Sequence, residues 1–287
     1  MKKLYIFGVG LIGGSIALKA RELNIFDKII GIGRVGGSSL DGLVKSGVLD
    51  SSSTKIDISI NEASLIIIAT PVEQTKLILE DVVPFLNPKT IITDVGSTKS
   101  NIMNEAKIVL EDKFCQFIGS HPIAGSEKHG PSAAKKDLFQ DKNIILTPNT
   151  KNSLATVSKL KEFWELLGGV VTNMNAEDHD QIFSTVSHLP HLLAFSLVNL
   201  INNKENKETL LNFAASGFRD FSRIAASSSQ VWKDITIQNR ESIIKDLKLF
   251  QKEIDKLTAL INLKDQKKLD DYLKSASHTR KNWTEET

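Results

Sequence analysis

A single cysteine, Cys115, in 287 residues rules out an intramolecular disulfide and a cysteine-ligated metal cluster within one chain. That usage fits a reducing compartment, so a cytoplasmic location is expected. A surplus of one charge is also missing. Thirty-six Lys and Arg face 34 Asp and Glu, a formal net charge of +2, and no nucleic-acid partner is expected from so small an excess. No run reaches 18 apolar residues, so no membrane span is expected either. Met1-Lys2-Lys3 resembles the start of a secretion signal, but glycines break the apolar run behind it. That run ends at Lys19, Arg21 and Glu22, and it reads better as a first strand and turn. There is no internal repeat.

What is present is a chain with 41% hydrophobic and 24% charged residues whose texture changes midway. Short apolar runs at residues 4–7, 28–32, 65–69, 90–93, 117–119 and 143–147 read as strands, with helical spacing at 11–23, 73–83 and 154–167. Residues 65–69 are almost purely apolar, as a strand buried on both faces must be. Strands alternating with helices predict an α/β fold, an N-terminal Rossmann domain with a doubly wound, mainly parallel sheet over residues 1–174. Residues 175–287 carry long helical patterns and predict an all-helical domain. Residues 182–201 are apolar nearly all round, which implies a helix buried in a bundle or a subunit interface. Pro190 should kink that helix or mark a boundary. Ile243, Leu247, Phe250, Ile254, Leu257 and Ile261 form one apolar stripe, fit for a bundle core or a dimer interface.

Gly8, Gly10 and Gly13 follow a predicted strand and open a predicted helix, the context that makes this spacing a dinucleotide site. The first permits the tight turn, the second admits a pyrophosphate, and the third lets helix and strand pack closely. Leu11 and Ile12 open the helix whose N-terminal N–H groups would hold the phosphates. Thr70 and Pro71, which stop the strand at 65–69, are expected to line the same site. An NAD site ordinarily has an acid after the second strand, to bind the adenosine ribose. Here the residues are Gly31-Ile32-Gly33-Arg34, with no acid before Asp41. Arg34, helped by Ser38 or Ser39, would pair with a 2′-phosphate, so NADP is expected over NAD.

Five motifs occur in order: Gly8-Val9-Gly10-Leu11-Ile12-Gly13-Gly14-Ser15, Asp94-Val95-Gly96-Ser97-Thr98-Lys99, Gly119-Ser120-His121-Pro122-Ile123-Ala124-Gly125-Ser126-Glu127, Ser187-His188-Leu189-Pro190-His191 and Gly217-Phe218-Arg219-Asp220-Phe221-Ser222-Arg223. Together they resemble the prephenate/arogenate dehydrogenase family of tyrosine biosynthesis, across essentially the whole chain. The resemblance implies oxidation of prephenate or arogenate by NAD or NADP with loss of CO2, in a homodimer joined through the helical domain. It implies that His121, carried on a loop over the C-terminal edge of the sheet, is the catalytic base, and that Ser97 assists it beside the nicotinamide. A neutral imidazole suits the C4 hydroxyl of the substrate because its pKa lies near working pH. Arg223 is implied as the carboxylate anchor, with Glu127 as an acid able to pair with it. His191 and His188 are implied along the substrate pocket, with Trp232 and His179 near it. The spacing of His188 and His191 also fits a metal, but no partner completes a site and none is expected. Arg219 reads as peripheral, and His129 and His278 carry no comparable support. Two other readings share the fold: a related hydroxyacid-type oxidoreductase, and a dinucleotide-binding interaction protein without catalysis.

Overall fold

Two apolar runs organise the first half of the chain. Strands β1 (Lys3–Phe7) and β4 (Ala63–Ile68) pair in parallel. Successive side chains of a strand point to opposite faces. Leu4, Ile6, Leu65 and Ile67 therefore enter one apolar core, and Tyr5, Phe7, Ile66 and Ile68 enter another. Each fully buried aliphatic side chain stabilises the fold by roughly 1.5–3 kcal/mol. The architecture comes from a computed structural model, which describes residues 2–33, 40–125 and 130–283.

Around that pair the parallel sheet has the order β3-β2-β1-β4-β5, with β2 at Lys28–Ile32, β3 at Ser51–Ser53 and β5 at Ile91–Asp94. Helices α1 (Leu11–Glu22), α2 (Asp41–Lys45), α3 (Thr75–Val82) and α4 (Ser100–Leu110) make the connections. Strand order reverses between β1 and β4, which opens the crevice where such sheets bind ligands. A lone parallel bridge from Ile92 to Phe117 carries the sheet on to β6 (Gly119–Pro122). Beyond it lie β7 (Asn143–Thr147), antiparallel to β6, and β8 (Val170–Asn173), parallel to β7. Helix α5 (Leu154–Leu166) covers this part, with Trp164 fully buried and its indole N–H donated to Ser120 Oγ at 3.2 Å. Nothing in the sequence marks β3. Three serines are poor strand formers, and only pairing with β2 at the sheet edge makes them one.

The second half is helical: α6 (Ala176–Phe183), α7 (Leu189–Asn202), α8 (Lys207–Asn212), α9 (Ser216–Ser222), α10 (Ser229–Gln238), α11 (Arg240–Asn262) and α12 (Gln266–Asn282). Pro190 does not end a helix. Residues Ala176–Asn202 run on continuously, with a π turn at Ser184–His188 and Pro190 in the first turn of α7. A proline has no N–H to give, and the wide turn just before it accommodates the missing bond.

The same 27-residue helix is long and apolar enough to cross a membrane by length and composition, yet 17% of its apolar window is buried. Four of its buried side chains are polar: His179, Asp180, Ser184 and His188. Val186 and Leu200 on it are exposed, as are Leu247, Ile254 and Ile261 of α11. Of the stripe on α11, Ile243 is buried within the chain and these three are not, so the stripe is not a closed bundle core.

Candidate active site

The cofactor end is built by backbone. Gly8 leaves β1 at φ +83°, and a Cβ there would meet the Ala69 carbonyl oxygen at 2.7 Å. At Gly13 a Cβ would stand 2.3 Å from the Gly8 carbonyl oxygen, so α1 packs against the turn only because that residue is glycine. Helix α1 starts at Leu11 with no side-chain cap, which leaves its first N–H groups for an anion. Gly8, Gly10, Thr70 and Pro71 line a cavity of about 670 Å³, where Thr70 Oγ1 is buried without a partner. Open backbone, an uncapped helix start and an orphaned hydroxyl fit a dinucleotide. Leu11 and Gly13 do not line this cavity among the described residues, and Ile12 lines its neighbour. Arg34, Ser38 and Ser39 lie outside the described residues, as do Glu127 and His129.

A second cavity, about 830 Å³, opens between the sheet edge and the helical half. Ser97, His121, His191, Arg223 and Trp232 all line it. Ser228 and Val231 of the α10 region line both cavities, so the two adjoin. The His191 ring stacks on Trp232 with centroids 3.8 Å apart, and its Nδ1 is 2.9 Å from the Ser187 carbonyl. Burial lowers the His191 pKa, and Arg223 lowers it further. His121 departs from expectation in one respect: it is held inside strand β6, paired with Ile145, and not in the following loop. A strand fixes its backbone more firmly than a loop would.

Behind His121 lies a chain of buried polar groups. His121 Nδ1 is 2.8 Å from His179 Nε2, and His179 Nδ1 is 2.8 Å from Asp180 Oδ1. Asp180 accepts the backbone N–H of Lys99 at 2.8 Å and of Ser100 at 2.9 Å, and so caps α4 from another helix. Burial pushes the Asp180 carboxyl up, but the bonds from His179, Ser100 and Lys99 together hold it below the usual range. Burial drives His121 well below the ordinary histidine value, with His179, Lys99 and His188 adding to the shift. Phe183 packs against both rings, at 4.9 Å from His121 and 4.5 Å from His179.

Lys99 is fully buried and pairs with Asp94, which also accepts the Gly96 N–H at 2.7 Å and the Ser120 N–H at 3.2 Å. His188 is nearly as buried and does not line the cavity. Its ring meets the Asn239 amide and the Ser97 backbone, so it supports the segment that carries Ser97. Arg219 and His278 line neither cavity. Asp180, Lys99, Asp94 and Asn239 are absent from the residues singled out in the sequence. The motif holding Asp94 and Lys99 was visible there, but the pairing of His179 with Asp180 is a neighbour relation that carries no distinctive spacing.

Residues 16–173 match the family model described as the nucleotide-binding domain of prephenate dehydrogenase, and residues 175–275 match its dimerization domain. The chain is 39% identical to the prephenate dehydrogenase of Bacillus subtilis over 96% of this chain and 75% of that one. The prephenate dehydrogenase of Aquifex aeolicus, solved in complex with hydroxyphenyl propionate and NAD+, is 33% identical, with a TM-score of 0.91 over 98% of this chain and 97% of that one. The arogenate dehydrogenase of Synechocystis is 28% identical, with a TM-score of 0.84 over 98% and 100%. The NAD+ in the Aquifex protein overturns the expectation of NADP over NAD. The cavity supplies the physical reason. Among the described residues no Lys or Arg lines it, whereas Asp81 does, so its wall there offers a 2′-phosphate no cation to pair with. With both halves matched in order and the fold shared from end to end, the chain belongs to the prephenate dehydrogenase family.

Proposed function

We propose that this chain oxidises and decarboxylates prephenate or arogenate, with NAD+ as cofactor, in tyrosine biosynthesis. The observation that supports it most is the gathering of His121, Ser97 and Arg223 around one cavity that adjoins the glycine-lined one. Bound NAD+ supplies the acceptor for the hydride from substrate C4. His121 Nδ1 is engaged by His179, which leaves Nε2 to accept the proton of the C4 hydroxyl. Ser97 donates to or accepts from the same oxygen, and Arg223 forks onto a substrate carboxylate. His191, held by Trp232 and Ser187, faces the remainder of the ligand. Loss of CO2 makes the ring aromatic, so the residues mainly orient the substrate and take up one proton. A two-by-two assay of prephenate and arogenate against NAD+ and NADP+ tests the reading. Turnover of at least one substrate with preference for NAD+ is expected, and inactivity with all four pairs would overturn it.

The working unit in this reading is a cytoplasmic homodimer of chains divided near residue 174. Val186, Leu200, Leu247, Ile254 and Ile261 are large apolar side chains left exposed on α7, α11 and the π turn, as a subunit interface would require. A second copy of the same helices covers such a face symmetrically. Sedimentation should give twice the 31.7 kDa chain mass.

A further inference from the structure

Three groups in a row, two rings and a carboxylate, end at His121, which lines the substrate cavity. A carboxylate only accepts hydrogen bonds, so the His179 nitrogen facing Asp180, Nδ1, carries a hydrogen. A neutral ring has one N–H, and His179 Nε2 is therefore an acceptor. Its partner at 2.8 Å, His121 Nδ1, must then donate, which leaves His121 Nε2 bare. Asp180 remains an anion because two backbone N–H groups at the start of α4 also hold it, where the helix dipole favours negative charge.

We infer that Asp180, acting through His179, is a positioning pair that holds His121 as the tautomer with Nδ1 protonated and Nε2 bare. The same pair shares the charge when Nε2 takes a proton. This rests on the proposed function above and adds the tautomer control of its base. In the step concerned, the substrate O–H bond breaks and the Nε2–H bond forms. The oxygen's electron pair becomes the carbonyl bond as the C4 hydrogen departs with its own pair to the nicotinamide of NAD+. His121 then carries one positive charge, and the Nδ1–H bond to His179 shortens the path from that charge to Asp180. A charge on His179, and Lys99 and His188 on the neighbouring elements, disfavour the same charge, and Arg223 faces it across the cavity, whereas Asp94 favours charge on His179. Asp180 is the anion joined to the ring by hydrogen bonds, so it is the one whose removal should be felt most.

The ring nitrogens report directly. In 15N-histidine-labelled protein, with His121 assigned by loss of its signals in His121→Asn, Nδ1 should be protonated and Nε2 bare at neutral pH. In His179→Leu the ring should move towards the Nε2–H form preferred by free imidazole, with kcat down at least tenfold and KM and NAD+ affinity within about twofold. His179→Gln offers an acceptor to His121 and a donor to Asp180, and it should restore the tautomer and much of the lost kcat. Asp180→Asn keeps one oxygen to accept from Lys99 and His179 but loses the acceptor for the Ser100 N–H and removes the charge, so the acidic limb of kcat/KM should move to lower pH. A proton found on Nε2 of His121 in the unaltered protein would overturn the inference. So would His179→Leu with unchanged kcat and an unmoved acidic limb. If the unaltered protein turns over neither substrate, the functional reading fails by itself, and the ring nitrogens still decide the tautomer.

Discussion

The side-chain amide of Asn239 lies 3.1 Å from His188 Nδ1 and donates at 2.7 Å to the Asp180 carbonyl oxygen. An amide N–H pointed at a ring nitrogen requires that nitrogen to be bare, so His188 is held neutral in the folded protein.

Acid stability should show this. Burial pushes the His188 pKa from 6.5 down to about 4. Below pH 6.5 the unfolded chain binds a proton that the folded one refuses, so stability falls as pH drops towards 4. The shift corresponds to roughly 3 kcal/mol. Urea unfolding at pH 7 and pH 4.5 should reveal the loss, and His188→Gln should make it smaller. Equal losses in both proteins would show that another group sets the slope.

Replacing His121 with Asn should lower kcat by about 100-fold or more, because the amide cannot take the proton. NAD+ affinity, measured by fluorescence or calorimetry, should be unchanged, since His121 does not line the glycine cavity. Turnover close to that of the unaltered enzyme would remove His121 from the chemistry.

Arg223→Gln should act on substrate binding. Losing a forked ion pair to a carboxylate costs about 1.5–3 kcal/mol, which is a rise in KM of roughly 10- to 100-fold with a smaller change in kcat. Steady-state kinetics separate the two. A fall in kcat with KM unmoved would assign Arg223 to the reaction step and away from anchoring.

The buried ion pair should be costly to break. Lys99→Met leaves Asp94 without its cation inside the fold, a change expected to destabilise by about 3–5 kcal/mol. Thermal unfolding measures it, and a melting temperature within a degree or two of the unaltered protein would mean that water or a rearranged donor replaces Lys99.

How much of this was legible in the residues varies with the physics involved. The run at 65–69 and the Gly8, Gly10 and Gly13 spacing are local signals, and they place the central strand and the turn beside the crevice. His121, Ser97 and Arg223 are far apart in the chain, and their resemblance to a known family, not any periodicity, pointed to one pocket. His188 and His191 sit three residues apart, yet one is buried against Asn239 and the other lines the cavity. The intervening turn and its partners decide that difference. The expectation of NADP rests on an acid that is missing after β2, whereas Asp81, distant in sequence, brings an acid to the wall of the same cavity. Capping of α4 by Asp180 of α6 was likewise out of reach, because it joins groups 80 residues apart.

Ser228 and Val231 stand in the walls of both cavities. A ligand in one cavity therefore touches a wall of the other, and any shift it imposes on this segment couples the two sites. Cooperativity of this kind is reciprocal by thermodynamic necessity: whatever factor NAD+ adds to the affinity for the cyclohexadienyl acid, that acid must return to NAD+.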